Sequence, residues 1–332
     1  MNRAGGRGRA AGDTAGEGRG AFTGTAGESR GTVIVALAIN LLIAVAKAMA
    51  ALLTGSSSLF AEAAHSVADS GNEALLLVAL RRSSRPADET HPFGYGAERF
   101  YWSLLAAVGI FVAGGVTAIY EGIRHLRQPE PLVDPLFAYG VLVISLGLEA
   151  TSWMTAFRQL RGESRGRGLS LRTYLRRTTD PTATTVFYED SAAVVGIFFA
   201  LAGVALHQVT DSAVPDAAAS IAIGLLLVVV AVRLASRERE LLTNQSASPA
   251  VVAGVRQTIE SSPEVESVVR LEVMVIGPRA ALVTGEVRLA GEPSGERVAQ
   301  VLAGLRDLLR DQPLVAEVYL TPVGIPHGGR SQ

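Results

Sequence analysis

A histidine and an aspartate stand four residues apart inside an apolar stretch of the chain, residues 58–80. On a helix, His65 and Asp69 project from one face, because residues at i and i+4 are neighbours on the helix surface. An imidazole nitrogen and a carboxylate oxygen one turn apart suit a small divalent cation such as Zn²⁺. A tetrahedral ion takes about four ligands, so another segment must supply the others.

The same stretch carries a stripe of further polar residues, Glu62, Asn72 and Glu73. A charged side chain at the centre of a bilayer costs about 2.5–3.5 kcal/mol on the insertion scale, so such groups normally face other helices and pair there. A stripe that only fixes helix packing is the simpler alternative. We interpret His65 and Asp69 as cation ligands, and Glu62 and Glu73 as residues of an ion or proton pathway or of the packing.

The composition indicates a membrane protein. Of 332 residues, 48% are hydrophobic and 18% are charged, which is a low charged fraction for a soluble protein. The absence of cysteine excludes disulfides and thiolate metal ligands. Residues 1–30 are rich in Gly, Ala and Arg without apolar periodicity, and we expect a disordered tail there. We expect no enzyme activity, no resident cofactor and no nucleic-acid partner.

Six apolar runs are each long enough, at about 1.5 Å per residue, to cross a hydrocarbon core of about 30 Å. They occupy residues 32–53, 58–80, 100–120, 136–157, 186–207 and 214–235. Arginine is frequent after the second, fourth and sixth runs and scarce in the other connections, and the positive-inside rule places the arginine-rich side in the cytoplasm. We therefore predict a six-helix membrane domain over residues 31–240, with both termini cytoplasmic.

The chain changes character after the sixth run. Residues 246–325 follow the order α-β-β-α-β, with Ser294 as the N-cap of the second helix. This order predicts a small α+β domain of the ferredoxin or metallochaperone type, with helices on one face of a sheet. Its position after the sixth run places it in the cytoplasm.

The fifth apolar run offers carboxylates that complement the pair on the second. Glu189 and Asp190 lie near its predicted cytoplasmic end. An acidic pair at a helix start also interacts favourably with the helix dipole without any metal. Beside the polar stripe of the second run, we favour the metal-binding interpretation.

Other polar residues of the runs leave a structural and a functional interpretation open. Lys47, the only lysine of the chain, is close enough in the predicted bundle to pair with Glu73 or Glu149. Asn40 and Glu149 are candidates for lining the pathway or carrying a proton.

Three polar residues near the predicted outer surface receive simpler interpretations. Asp216 follows Pro215 at the start of the sixth run, a position typical of a helix cap. His125 and His207 are interpreted as solvated residues.

These features together resemble the cation diffusion facilitator family of divalent-metal transporters. The resemblance rests on AEAAHSVADS in the second run, HPFGYGAERF after it, the six runs and the α-β-β-α-β tail, and it covers about residues 30–325. It implies a homodimer in a lipid bilayer that exports a divalent cation, usually Zn²⁺, in exchange for protons. The expected location is the inner membrane of the cell.

The resemblance also implies a transport site with two ligands on the second span and two on the fifth. His65 and Asp69 match the first pair, and Asp190 matches one member of the second. The other member falls at Val186, so Glu189 is the substitute that we expect. The segment RRTTDPTATTVFYEDSAAVVG resembles a subgroup that includes a mitochondrial zinc transporter of animals, in which the fifth-span histidine is also absent.

Two further metal sites of the family are weakened or missing in this chain. In the loop after the second span, Asp88 and His91 match two ligands, but Tyr95 stands where a second histidine would be, so we expect at most a weak site. Many members bind zinc through histidines of the cytoplasmic domain. Residues 246–325 contain no histidine, so we expect this domain to dimerise without sensing metal through such a site.

The leading hypothesis is a proton-coupled efflux antiporter for a divalent cation, with Zn²⁺ favoured, whose site lies between spans two and five. Proton exchange follows because a metal binds neutral histidine and ionised aspartate. One alternative is transport of Mn²⁺, Fe²⁺ or Co²⁺ on the same scaffold, because a ligand set poor in nitrogen favours harder ions. Another is a membrane metal-binding scaffold that transports nothing.

Overall fold

The computed structural model of the protein describes residues 25–166, 168–177, 181–278, 280–312 and 314–324. Most of the tail predicted for residues 1–30 lies outside this described part. Helix α1 begins at Thr25, so residues 25–30 are helical where the sequence predicted the end of the tail. A helix that is already nucleated in an apolar segment extends at little cost per residue, which explains the earlier start.

Long helices make up the N-terminal part of the described chain. Their bounds are α1 Thr25–Thr54, α2 Ser57–Ser83, α3 Glu98–Gly109, α4 Thr117–Arg127, α5 Pro135–Gly166, α6 Leu171–Arg177, α7 Pro181–Thr210 and α8 Val214–Leu242. A π-helical segment, Ile110–Val116, joins α3 to α4, so that Glu98–Arg127 is one continuous helix. Each of the six predicted runs lies within one of the long helices, whereas α6 was not predicted.

Within the described residues, four helices are long and apolar enough to cross a membrane. They are Glu98–Arg127, Pro135–Gly166, Phe187–Thr210 and Val214–Leu242. The described apolar part of α1, Asn40–Thr54, is shorter. Helix α2 has 27 residues, but the polar stripe that it carries makes it less apolar than those four helices. The protein therefore contains a helical membrane domain with at least four spanning helices.

The polar stripe of α2 faces the inside of this helical bundle. Glu62 is fully buried and His65 is 2% exposed, whereas Val67 on the opposite side of the helix is 52% exposed. Around the stripe, α2, α5, α7 and α8 bury apolar side chains in one core, which includes Leu59 and Leu142. The distribution is the one expected in a membrane, where ionisable groups face the bundle and apolar groups face lipid.

Glycines bring the helix Glu98–Arg127 very close to α8. A β-carbon added to Gly224 would lie 2.8 Å from the carbonyl oxygen of Gly115, and one added to Gly122 would lie 2.8 Å from the carbonyl oxygen of Ala217. Real β-carbons essentially never approach another heavy atom below 3.0 Å, so alanine at these positions would force the backbones apart. Small residues at close helix crossings are typical of membrane proteins.

A small sheet domain follows α8. Its elements are α9 Pro249–Glu260, β1 Val265–Gly277, β2 Ala280–Leu289, α10 Gly295–Arg310 and β3 Val315–Pro322, in the predicted α-β-β-α-β order. Strand β1 pairs antiparallel with β2, and β2 pairs parallel with β3. A parallel pair needs a crossover connection, which α10 provides. The Ser294 hydroxyl accepts a hydrogen bond from the Arg297 amide at 3.4 Å and caps α10 as predicted.

The loop after α2 joins the bundle to the sheet domain. Phe100, at the start of α3, is fully buried in the apolar core of the sheet domain together with residues of both of its helices. A β-carbon added to Gly96 would lie 2.8 Å from the carbonyl oxygen of Ile276 in β1. The segment HPFGYGAERF therefore serves as the contact between the two parts of the molecule.

Candidate functional site

Helix α2 holds His65 and Asp69 together in the interior, as the i and i+4 spacing predicted. His65 Nε2 lies 3.4 Å from Asp69 Oδ1, and the two side chains are 2% and 18% exposed. His65 Nδ1 and Asp69 Oδ1 are buried and have no hydrogen-bond partner among the described residues. A buried polar atom without a partner costs about 1–3 kcal/mol, and these atoms are available to bind a cation.

Asp190 of α7 lies at the edge of this interior, half-buried, beside the exposed Ser152. The hydroxyl of Ser152 on α5 donates a hydrogen bond to Asp190 Oδ2 at 2.7 Å, which orients the carboxylate. Asp190 and Asp69 lie close enough to interact electrostatically. Three helices thus contribute to one group of side chains, which we call the His–Asp cluster: His65, Asp69, Ser152 and Asp190.

Glu189 has a different partner from its neighbour Asp190. The side-chain amide of Asn72 donates to both carboxylate oxygens of Glu189, at 2.7 Å each. Successive residues of a helix point about 100° apart, so Asp190 meets α5 while Glu189 meets α2, near Asn72. The side chain of Val186, the other position of interest on this helix, lies outside the described part.

A second buried group surrounds the single lysine of the chain. Lys47 Nζ lies 3.0 Å from Glu62 Oε2 and 4.0 Å from Glu149 Oε1, and it donates a hydrogen bond to Ser66 Oγ at 2.9 Å. We call these four residues the lysine cluster. The sequence suggested Glu73 or Glu149 as the partner of Lys47. Glu149 forms the longer ion pair, but the hydrogen-bonded carboxylate is Glu62, because α1 and α2 bring these two side chains together.

The two remaining pathway candidates on α1 and α2 contact each other. Asn40 Nδ2 donates to Glu73 Oε1 at 2.8 Å, and Glu73 Oε2 is buried without a partner in the described chain. Glu73 and Glu189 both interact electrostatically with Asp69. Among the described residues, neither Asp69 nor Asp190 forms an ion pair with a lysine or arginine. The His–Asp cluster therefore lies in a region with an excess of carboxylates.

The loop with Asp88 and His91 is closed by its own hydrogen bonds. Asp88 Oδ1 accepts the backbone amides of Thr90 and His91, at 3.0 and 2.8 Å, and Oδ2 accepts the Tyr95 hydroxyl at 2.7 Å. Hydrogen bonds from the Thr90 and Tyr95 hydroxyls hold the pKa of the Asp88 carboxyl well below its usual range. Both oxygens are engaged in hydrogen bonds, and the weak site that the sequence allowed here stays a prediction.

Three polar residues at the other end of the bundle differ from their sequence interpretation. His125 and His207 are buried, at 1% and 5% exposure, rather than solvated. Asp216 does not cap its own helix, whose N-cap is Ala213, but accepts the backbone amide of Ser57 at the start of α2 at 2.6 Å. These environments arise where the ends of separate helices pack together, which no local sequence pattern reveals.

Comparison with known proteins identifies the family. A family model described as the cation efflux transmembrane domain matches residues 33–243, which include both the His–Asp cluster and the lysine cluster. The chain belongs to the cation efflux family. The resemblance that the motifs indicated is thereby confirmed.

Curated relatives of this cation efflux protein match most of its length. The Xenopus laevis "Proton-coupled zinc antiporter SLC30A9, mitochondrial" is 35% identical over 259 residues, which cover 78% of this chain and 46% of the relative. The human protein of the same name is 32% identical over 260 residues, covering 78% and 45%. The Arabidopsis thaliana "Metal tolerance protein C4" is 33% identical over 264 residues, covering 80% and 58%. The chain spans about half the length of the curated relatives it matches.

Proposed function

We propose that this cation efflux protein exports a divalent cation, preferentially Zn²⁺, in exchange for protons. The observation that carries the proposal is the buried pair of His65 and Asp69, 3.4 Å apart on α2, in a bundle that also directs Asp190 inward. One imidazole and two carboxylates are ligands that Zn²⁺ accepts, and three protein ligands leave a coordination position for water. Such an open shell lets the ion enter and leave.

Proton exchange follows from the chemistry of these ligands. The cation binds when His65 is neutral and the aspartates are ionised, so protonation of the same groups releases it. Alternating access to one intramembrane site, typical of secondary transporters, then couples the two fluxes. The relatives named proton-coupled zinc antiporters support this assignment.

The other buried carboxylates receive distinct roles in the proposal. Glu189 enters the coordination shell only in a state in which Asn72 releases it, since Asn72 binds both of its oxygens here. Glu73 and Glu149, which interact electrostatically with Asp69, carry protons to and from the site. Glu62 is held by Lys47 and stabilises the packing of α1 on α2.

We propose that α1 and α2 also cross the membrane, which gives six spans over residues 31–240. The buried orientation of the ionisable residues on α2 supports this, because the face left for lipid is apolar. The arginine-rich segments support cytoplasmic termini and a cytoplasmic domain over residues 246–325. We place the protein in the inner membrane of the cell as a homodimer joined through the sheet domain.

Zinc uptake into proteoliposomes tests the proposal. An acidic lumen should drive Zn²⁺ into vesicles that contain the purified full chain. The variants His65→Ala and Asp69→Ala should each lose at least about tenfold in uptake, because each removes a ligand of the ion. Val67→Ala, on the exposed face of the same helix, is the matched control. Normal uptake by both ligand variants would show that the site is elsewhere, and uptake independent of the pH gradient would rule out proton exchange.

Transport of Mn²⁺, Fe²⁺ or Co²⁺ is the second candidate. The contacts that support it are those of the His–Asp cluster itself, in which one imidazole accompanies two carboxylates, since oxygen-rich sites favour harder ions. Competition among these metals for uptake in the same vesicles decides the preference. Metal-driven proton flux would at the same time exclude a scaffold that binds metal without transport.

A further inference from the structure

A second group of metal-ligating side chains meets at the end of α8 that lies away from the sheet domain. His125 from the last turn of α4, His207 from the last turn of α7 and Asp216 from the first turn of α8 have ligand atoms within 4.8 Å of one another, and all three residues are buried. Among the described residues, no other three His, Asp or Glu side chains bring their ligand atoms this close together. It is separate from the His–Asp cluster and shares no residue with it.

Both histidines of this group have a buried nitrogen without a partner. His125 Nε2 and His207 Nδ1 make no hydrogen bond within the described residues, although the side chains are 1% and 5% exposed. The two rings meet edge to face, with centroids 6.4 Å apart and an angle of 69° between the ring planes. Each unpaired nitrogen costs about 1–3 kcal/mol in a buried position, and a shared cation would satisfy both.

The carboxylate of Asp216 is held in place by three serines at the start of α2. Oδ1 accepts hydrogen bonds from the hydroxyls of Ser56, at 2.9 Å, and Ser58, while Oδ2 accepts the amide and hydroxyl of Ser57, at 2.6 and 3.0 Å. Hydrogen bonds of this kind orient the ligands of metal sites. A carboxylate oxygen has about two acceptor positions, so a metal on Oδ1 displaces one serine hydroxyl. The hydroxyls of Ser56 and Ser58 lie 3.2 Å apart, and the displaced one keeps the other as its partner.

We propose that His125, His207 and Asp216 form a second site for a divalent cation, of the class bound by two imidazoles and one carboxylate, with Zn²⁺ as the first choice. Ligand bonds of about 2.0–2.2 Å in a tetrahedral shell set donor atoms about 3.4 Å apart, so donor atoms that lie within 4.8 Å of one another approach by at most about 1.4 Å around the ion. Three protein ligands leave the fourth position open, which makes the ion exchangeable. With the membrane orientation proposed above, this site lies at the outer end of the bundle and receives the cation when the transport site releases it. Only this role, and not the site itself, rests on the proposed function.

Counting bound metal tests the site without any transport measurement. The purified full chain in lipid nanodiscs is saturated with Zn²⁺, passed through gel filtration, and its zinc is measured by elemental analysis. His125→Gln and His207→Gln should each bind one ion fewer per chain than the wild type. The matched control is Thr210→Ala, because Thr210 is exposed at the end of the same helix α7 as His207 and, among the described residues, its hydroxyl bonds only to its own helix at Leu206. Wild-type zinc content in both cluster variants would overturn the proposal.

A second measurement separates this site from the transport site and does not depend on the folding of the cluster variants. The double variant His65→Gln/Asp69→Asn should lose one ion and keep another. X-ray absorption of the zinc that remains should show two imidazole ligands. Remaining zinc without imidazole scattering, or no remaining zinc, would overturn the second site. A double variant that keeps the full zinc content would instead disprove the transport site and leave the site at His125 standing.

Discussion

The lysine cluster and the His–Asp cluster occupy neighbouring turns of α2, and each holds two carboxylates, but they differ in the basic group that faces those carboxylates. In the lysine cluster, the ammonium of Lys47 contacts Glu62 at 3.0 Å and also donates a hydrogen bond to Ser66. In the His–Asp cluster, Asp69 and Asp190 share a single imidazole; among the described residues neither aspartate forms an ion pair with a lysine or arginine, and Lys47 acts on Asp69 only at longer range. A buried charge without compensation is costly. The lysine cluster, which contains a permanent cation in hydrogen-bond contact with a carboxylate, therefore stabilises the fold, whereas the His–Asp cluster, whose imidazole is charged only when protonated, is the better place for a bound cation.

Removal of the lysine should give the largest change in stability. Lys47→Met leaves Glu62 buried without its partner, and loss of one partner of a buried ion pair costs about 3–5 kcal/mol. Unfolding of the detergent-solubilised protein, followed by intrinsic fluorescence against denaturant, measures the loss. The double variant Lys47→Met/Glu62→Gln should recover most of it. A single variant as stable as the wild type would contradict the stabilising role of the lysine cluster and the contrast drawn between the two clusters.

A smaller change is expected when the His–Asp cluster loses an orienting hydrogen bond. Ser152→Ala removes the 2.7 Å hydrogen bond to Asp190 Oδ2 and keeps every proposed ligand. Loss of a group that orients a metal ligand typically costs about 10–100-fold in metal affinity, without a matching loss of stability. Zinc titration of the purified protein measures the affinity. Thr151→Ala is the control, since the Thr151 hydroxyl bonds to its own helix at Gly147; equal affinities of the two variants would contradict the role of Ser152.

The smallest change should come from a carboxylate that is neither buried nor near a cation. Asp88→Asn weakens the hydrogen bonds that close the loop, so amide hydrogen exchange over residues 88–95 should speed up several-fold while zinc uptake stays at the wild-type level. The pKa of Asp88 is lowered by these hydrogen bonds. Its contribution is therefore complete above the unfolded carboxyl pKa of about 3.9 and is lost only as pH falls through the lower folded pKa. Fast exchange already at neutral pH in the wild type would contradict this.

Periodic patterns made the architecture predictable from the sequence. The six apolar runs fall within the long helices. The pattern of residues 246–325 predicted the α-β-β-α-β order that the structure shows. The pair of His65 and Asp69 was predictable because an i, i+4 spacing is local. The π-helical segment Ile110–Val116 was not predicted. Almost every residue of this run is apolar, so the hydrophobic pattern does not alternate between two faces and cannot reveal an inserted residue.

Partners across helices could not be read from the sequence. Asn72 and Glu189 are 117 positions apart, and their contact depends on the rotation and depth of two separate helices. The same dependence explains why Glu62, rather than Glu73, pairs with Lys47. A signal for the Asn72 contact existed, because Asn72 belongs to the polar stripe, but nothing in the stripe indicated which residue of α7 it would meet.

The glycine crossing between the helix Glu98–Arg127 and α8 has a consequence for how this chain can vary. A single added methyl group at Gly224 would meet a carbonyl oxygen at 2.8 Å, and the same holds at Gly122. Inherited substitutions at these positions would be rejected even though neither residue has a side chain that binds, donates or carries charge. The substitutions tolerated along this crossing are therefore set by the distance between two backbones. A position that accepts only glycine need have no role in transport chemistry.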